Sequence, residues 1–470
     1  MNHQIKVATN IFLALFVILI LNLTYLVVIS GPSIAQNPSN NRAAEEELTI
    51  ERGKILTSDG VVLAESIKTD SRYKRTYPAG DLAAHIVGYS SPKYGKSGLE
   101  REYNTYLLGK ESASFVEDLV RKFKKPSGKG NSLTLTIDSR LQRVAVASLK
   151  GKRGAVVALD PKTGAVLAMV SNPTFDPNFI ERDWRAIQTN KDAPLFNRAI
   201  QREVGGGYPP GSSFKIITTS AALEEGVFEP SSPFTDTGEY KVLGTTVKNY
   251  SGKVFGEVTL RRGLEMSINT VFAQVGLKLG AQRLVDYAER FGFNEKVPFD
   301  LPVDQSAIQR ARSMDDVDVA WSAIGQARVV ATPLVMALAT ATIANNGTMM
   351  KPFLVKEIEG PDREILRQLG NESLRKVVSS RTAATMRDMM VGVVEKGTGG
   401  VAQIPGYSVA AKTGTAELGV PGVTHAWFVS FAPADDPQIA VAVIVEKGGV
   451  GGETAGPIAR DIMATALQPK

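Results

Sequence analysis

Apolar and polar positions divide the chain into three kinds of run. The first is Ile11 to Ile29, apolar throughout except for Asn22 and Thr24. A stretch of that length can cross a bilayer as a helix. The second kind is short and continuous. Gly154–Leu159 and Ala165–Ser171 flank Asp160-Pro-Lys-Thr-Gly164, and Ala426–Phe431 and Ile439–Val445 flank Pro433-Ala-Asp-Asp-Pro437. Both pairs predict β-hairpins. Tyr407–Lys412 and Leu133–Ile137 predict further strands. After the latter, Asp138 is placed to cap a helix with Leu141, Val144, Ala145 and Leu149 at helical spacing. The third kind is helical: Lys215–Glu225, closed by Gly226, and Val271–Leu279. Closer to the N-terminus, Asp59-Gly60 sits between two apolar stretches of Ile50–Ala64 and predicts a hairpin turn.

Strand groups at both ends of a mostly helical middle, residues 212 to 400, predict an α+β domain. Its antiparallel sheet, flanked by helices, is completed by both ends of the domain. The expected boundaries are 1–10 as a cytoplasmic tail, 11–30 as a transmembrane anchor, 31–48 as a linker, 49–132 as a smaller N-terminal domain and 133–470 as the main domain. Lys6 and the amino terminus precede the apolar run, and Arg42 and Glu45–Glu47 follow it. The positive-inside bias puts the N-terminus in the cytoplasm and the bulk of the chain outside. Small residues at Ser33-Ile34-Ala35 offer a cleaved signal as the competing reading, but the apolar core is long for a signal and favours an uncleaved anchor. The basic loop Lys122–Gly130 reads as a solvated linker.

Composition narrows the chemistry. The 470 residues carry a net charge of +6 and no concentrated basic and aromatic stripe, which argues against nucleic acid as a partner. Cysteine is absent, which removes disulfides, a thiolate nucleophile and cysteine zinc sites. The three histidines are His3, His85 and His425, and there is no Gly-x-Ser-x-Gly elbow. If a serine is the nucleophile, lysine is the favoured base.

Such a pair exists at Ser212 and Lys215. Pro209-Pro210-Gly211 halts structure just before them, so Ser212 is expected at a helix N-terminus with Lys215 one turn on, on the same face. Alone, the spacing is weak. Serine is an ordinary N-cap, and Ser71/Lys74, Ser90/Lys93 and Ser373/Lys376 repeat it. Two later motifs add weight. Ser267-Ile268-Asn269 opens a helical run, and Lys412-Thr413-Gly414-Thr415 falls at the end of a predicted strand. The decoys Lys162-Thr163-Gly164 and Ser39-x-Asn41 are out of order and belong to a turn and a linker. Ser-x-x-Lys, Ser-x-Asn and Lys-Thr-Gly in that order make a specific set.

With these motifs, and with Tyr208–Lys215, Asn197–Ile200, Ser322–Gln326, Ala331–Leu334, Ile343–Gly347, Lys412–Glu417 and His425–Phe428, the chain resembles the class B penicillin-binding proteins. Arg52–Ala64 and Gly98–Tyr103 are similar to the family's N-terminal pedestal, and the short length is similar to its actinobacterial penicillin-binding protein A branch. The link Arg202–Gly207 is longer than usual, and little chain follows Thr415 for an appended wall-binding module. The segment before the main domain is too short for the glycosyltransferase of class A relatives.

The resemblance implies a β-lactamase/transpeptidase-like fold and acyl transfer on peptides ending in D-Ala-D-Ala. Ser212 is the implied nucleophile, Lys215 its base, Ser267 the proton relay, and Asn269 the residue that holds Lys215 and the substrate backbone. Lys412, Thr413, Gly414, Thr415 and Ser213 are implied in substrate binding, and the backbone N–H groups of Ser212 and Thr415 in the oxyanion hole. No metal or other cofactor is implied. Implied partners are peptidoglycan stem peptides, β-lactams, the membrane, a glycosyltransferase and division or elongation proteins. A β-lactamase, a D,D-carboxypeptidase and a weakly catalytic scaffold are the rival readings.

Overall fold

The computed structural model describes residues 3–25, 42–110, 128–202 and 207–468. Most of the 31–48 linker, most of the basic loop 122–130 and the centre of the 202–207 link lie outside them.

The first element, α1 (His3–Thr24), extends the apolar run back through Lys6. At 1.5 Å per residue it is roughly 33 Å long, enough to span a bilayer core. It is the single helix among the described residues long and apolar enough to do so, and Phe12, Phe16 and Leu21 project outward from it. Apolar side chains all round suit a helix whose surroundings are lipid.

Next come β1 (Ile55–Leu56), β2 (Val62–Thr69) and β3 (Arg72–Thr76). Asp59-Gly60 makes the β1–β2 turn, with Gly60 at φ +85°. After β4 (Ser132–Leu135), Asp138 caps α2 (Ser139–Leu149) by accepting from the N–H groups of Arg140 and Leu141. The first predicted hairpin forms as β5 (Gly154–Leu159) and β6 (Val166–Asn172). Three helices of the middle region are α3 (Lys215–Glu224), α4 (Asn269–Leu279) and α5 (Pro333–Ala344). β7 (Val355–Glu359), β8 (Ile365–Gln368) and α6 (Ser380–Lys396) follow. The chain closes with β9 (Ala410–Glu417), β10 (Thr424–Ala432), β11 (Ile439–Val445) and α7 (Gly451–Ala466).

Five strands form the central sheet in the order β9-β10-β11-β5-β6, every neighbouring pair antiparallel. The α+β fold read from the sequence is the fold observed. Strand periodicity explains its two cores. Val156, Phe428, Val441 and Val443 face α2 and α7 and join Leu141, Leu149, Ile458 and Ile462. Their neighbours Val157, Trp427, Val429 and Ile444 face the other way, toward α5. Both faces are covered, so the strands read as unbroken apolar runs rather than alternating ones. Helix α5 lies within the second core and is buried at every position.

The middle region departs from its mostly helical expectation. Pro233–Asp236 pairs with Gly256–Thr259, Glu239–Val242 with Thr245–Lys248, and Thr348–Met350 with Ser373–Lys376. These strands are three or four residues long, too short for their periodicity to announce them. A second sheet has the order β8-β7-β4-β1-β2-β3. It joins N-terminal strands to two from the middle region, with β4 parallel to β1 and antiparallel to β7. Beside it, Glu100 is buried between Arg52 and Arg75, accepting from their Nε atoms at 2.5 and 2.6 Å. That triad ties Arg52-Gly53 to Gly98–Tyr103, the two stretches singled out for the pedestal.

Candidate active site

A cleft of about 510 Å³ opens beside β9 and the start of α3. Ser212, Ser267, Asn269, Thr413 and Thr415 all line it. Gly211–Phe214 forms a short 3-10 turn leading directly into α3, so Ser212 precedes the helix and Lys215 is its first residue. Two close backbone approaches hold this turn. Gly211 N donates to Gly325 O at 2.9 Å, and a Cβ on Gly325 would lie 2.1 Å from Gly211 O. On its other side, a Cβ on Gly211 would lie 2.9 Å from the Thr415 carbonyl. Gly325 belongs to the Ser322–Gln326 match, whose part in the site is to shape the serine turn.

Lys215 is fully buried. Its Nζ donates to Asn269 Oδ1 at 2.7 Å and to the Ser267 carbonyl at 2.8 Å, with the Ser267 hydroxyl at 3.4 Å. The Phe272 ring lies 5.1 Å away. Burial, and then the neighbouring Lys412, push the Lys215 pKa well below its ordinary value, which favours a neutral amine. Lys412, also fully buried, donates to Ser267 Oγ at 2.8 Å and to Thr413 O at 2.9 Å, and burial lowers its pKa to about 7. Ser267 thus meets both amines, and does so from a left-handed backbone, φ +59°. Ile268, the middle residue of its motif, is buried in the core.

Several expectations change. Lys412-Thr-Gly-Thr415 lies inside β9, an edge strand of the central sheet, and not at a strand end. The strand starts later than Tyr407 because Tyr407 is occupied in a turn with Ile404. Ser213, expected to bind substrate, is fully buried and donates to Pro210 O at 2.6 Å, so it braces the serine turn. Gly414 does not line the cleft either. A Cβ there would come within 2.8 Å of Trp427 and 2.9 Å of Pro210 O, so glycine is what lets β9 pack against that turn. Lys412 stands behind the cleft wall rather than in it. The hydroxyls on the wall are Thr413, Thr415 and Thr398, and Thr398 Oγ1 lies 2.8 Å from Thr413 Oγ1.

Thr398 was not singled out in the sequence; its signal was the glycine cluster Gly397-Thr398-Gly399-Gly400 directly after α6. Gln326 and Glu417, the last residues of two of the matching stretches, also line the cleft, as do Lys248, Asn249, Tyr250 and Trp321, which no motif marks. The decoy at Lys162 stays apart, its amine paired with Asp436 across exposed turns; Ser39 and Asn41 lie outside the described residues. His85 and His425 are buried with their pKa values lowered to about 4, chiefly by burial, and neither lines the cleft.

Behind the serine turn, Glu446 accepts from Arg198 Nε and Tyr208 OH, both at 2.7 Å, and from Arg153 Nε at 2.8 Å. Burial pushes its pKa up; the Tyr208 bond and the two guanidinium groups outweigh that and bring it below the usual carboxylate value. Trp427 Nε1 donates to Pro209 O at 2.9 Å. The stretch leading into Ser212 is therefore anchored by a buried ion cluster and an indole.

Fold and site together define a class of active-site serine enzymes, here with Lys215 buried one turn beyond the cleft-lining Ser212. Residues 154–464 match the penicillin binding protein transpeptidase domain, and residues 52–133 the penicillin binding protein A dimerisation domain. The peptidoglycan D,D-transpeptidase PbpA of Mycolicibacterium smegmatis is 36% identical, across 100% of this chain and 99% of its own. The peptidoglycan D,D-transpeptidase MrdA of Acinetobacter baumannii is 32% identical over 83% of this chain and 65% of its own. Among solved structures, a ceftriaxone acyl-enzyme of penicillin-binding protein A from M. tuberculosis superposes with a TM-score of 0.84 at 36% identity, covering 90% of this chain and all of that one. The D,D-transpeptidase domain of a peptidoglycan glycosyltransferase from Eggerthella lenta gives 0.80 at 39% identity, covering 89% and 98%. The chain belongs to the penicillin-binding protein transpeptidases, in the branch that pairs a transpeptidase domain with a dimerisation domain.

Proposed function

We propose that this protein is a peptidoglycan D,D-transpeptidase that cross-links stem peptides through an acyl-enzyme on Ser212 and is acylated there by β-lactams. The observation that carries the reading is a buried lysine, one helical turn from a cleft-lining serine, whose amine is held by Asn269 and Ser267. A serine hydroxyl needs such a base to attack at neutral pH.

In this mechanism Ser212 Oγ adds to the penultimate D-Ala carbonyl and passes its proton to neutral Lys215. The backbone N–H groups of Ser212 and Thr415 receive the oxyanion; losing one oxyanion-hole donor typically costs an enzyme about 2.7–4 kcal/mol. Collapse expels terminal D-Ala, whose amine takes a proton relayed by Ser267. An amine of a second stem peptide then attacks the acyl carbon, loses its proton to Lys215 and releases Ser212. The hydroxyls of Thr413, Thr415 and Thr398 bind the donor's terminal carboxylate, and Lys412 supplies positive charge behind them.

Helix α1 anchors the protein in the membrane, with residues 1–10 cytoplasmic and the domains from residue 49 outside. A glycosyltransferase and division or elongation proteins are its proposed partners.

The test is a penicillin adduct mapped by mass spectrometry. The adduct is expected on Ser212 and absent from Ser212→Ala. Rapid release of the adduct would make the protein a β-lactamase, and D-Ala release with no cross-linked product, acceptor amine present, would make it a carboxypeptidase. Cross-linking sustained in cells by Ser212→Ala would favour a scaffold.

A further inference from the structure

Asp236 ends the strand Pro233–Asp236, outside all three motifs, and does not line the cleft. It is 1% exposed. Its Oδ1 accepts from Thr270 Oγ1 at 2.5 Å, Asn249 Nδ2 at 2.8 Å and Gly238 N at 3.0 Å, and its Oδ2 accepts from Phe255 N at 2.7 Å. None of the four donors is a cation. Burial opposes the charge, yet these bonds outweigh it and keep the carboxyl below its ordinary pKa. A buried carboxylate held only by neutral donors is a demanding arrangement that needs every bond made.

The bonds lead to the site along two short paths. Thr270 is the residue after Asn269, in the first turn of α4. Asn249 also binds Thr270, accepting from its backbone N–H at 3.1 Å, and donates to Lys253 O at 2.9 Å. Next to Asn249, Lys248 O accepts from Asn269 Nδ2 at 2.9 Å, while Asn269 Oδ1 accepts from the amine of Lys215. Lys248, Asn249, Tyr250, Lys253 and Phe255 form one wall of the cleft. One carboxylate therefore fastens both that wall and the start of the helix that presents Asn269.

We propose that Asp236 is a positioning residue for acyl transfer. Through Thr270 and Asn249 it fixes the Asn269 amide, and through that amide the orientation of the Lys215 amine toward Ser212. This rests on the assignment of Lys215 as the base. The ionisable group packed beside Lys215 is Lys412 from β9; Asp236 acts on Lys215 only through Asn269. The position was silent in the sequence because an Asp at the end of a short strand looks like any turn residue.

The experiment uses the full chain in detergent. Thr270→Val removes the hydroxyl at constant shape, Thr270→Ser restores it, and Asp236→Asn puts an amide among the four donors. Stopped-flow acylation by a chromogenic penicillin separates binding from the acylation step, with thermal melts alongside. Thr270→Val and Asp236→Asn are expected to slow the acylation step by about tenfold or more, with penicillin binding little changed and the acid limb of the pH profile displaced. Thr270→Ser is expected to stay within about twofold of the natural protein. Lower melting temperatures with an unchanged acylation step and pH profile would overturn the proposal and leave Asp236 a plain turn brace. Absence of any Ser212 adduct in the natural protein would instead overturn the reading on which it rests.

Discussion

Lys412 Nζ lies 2.8 Å from Ser267 Oγ, and the second lysine of the site, Lys215, is bonded to the carbonyl of that same serine. Two buried amines thus meet at one residue, and neither has a carboxylate ion-pair partner among the described residues. The proposed mechanism uses them in opposite states, Lys215 neutral and Lys412 charged. Falling pH protonates Lys215, and rising pH discharges Lys412 near about 7. The acylation rate is therefore expected to be bell-shaped when measured with a chromogenic penicillin from about pH 5 to about 9. Lys412→Arg is expected to extend the alkaline limb, because guanidinium keeps its proton. A flat profile would refute this division of charge.

Stability follows the same lysine in a definite direction. Lys412 falls from its ordinary 10.5 to about 7 on folding, so between those values the unfolded chain binds more protons than the folded one. Its buried amine is a cost present in full below about 7 and relieved as pH rises toward 10.5. Lys412→Met is expected to raise the melting temperature at pH 7 and to lose this part of the pH dependence, while acylation collapses. Parallel melting curves for the two proteins from pH 7 to 10 would contradict it.

Gly325 has φ +74° and touches the serine turn through Gly211 and Phe214. A methyl group there cannot fit without moving that turn. Gly325→Ala is expected to cost about 1–3 kcal/mol of stability through backbone strain. Acylation should fall further, by roughly a hundredfold, because the nucleophile shifts. Stopped-flow acylation beside a denaturant titration checks it; loss of stability with normal acylation would show that the turn relaxes elsewhere.

Glu446 binds Arg198, Tyr208 and Arg153 from inside the protein. Glu446→Ala leaves the Arg198 guanidinium, only 1% exposed, without its counter-charge. A loss of about 3–5 kcal/mol is expected. Glu446→Gln, which keeps an acceptor, should lose less. Equal effects of the two in chemical denaturation would mean the charge is immaterial.

The contrast between legible and illegible parts has a physical basis. The central sheet could be read because β5 and β11 are apolar over their whole length, and β6 and β10 over most of theirs, with Pro, Asp and Gly between them. Ser212, Lys215, Ser267 and Asn269 could be read because local spacing places them at helix starts. Asp236, Thr398 and the 248–255 wall could not, because their part in the site comes from tertiary hydrogen bonds that leave no periodic trace. The same reason misdirected Ser213 and Gly414. Both sit within motifs, but contact with Pro210 and Trp427 turns them to packing. Pairing of β4 with β7 was equally invisible, since nothing local in Ser132–Leu135 reports its distant neighbour.

That pairing sets a timetable for the molecule. β4 lies between β1 and β7, so the sheet holding the N-terminal strands waits for a strand that emerges only near residue 355. A nascent chain, or one cut short before that point, leaves the backbone of β4 open along one side. Such an edge recruits other chains, and closing so long a loop is slow. The sheet that holds the N-terminal strands is therefore complete only once β7 is in place.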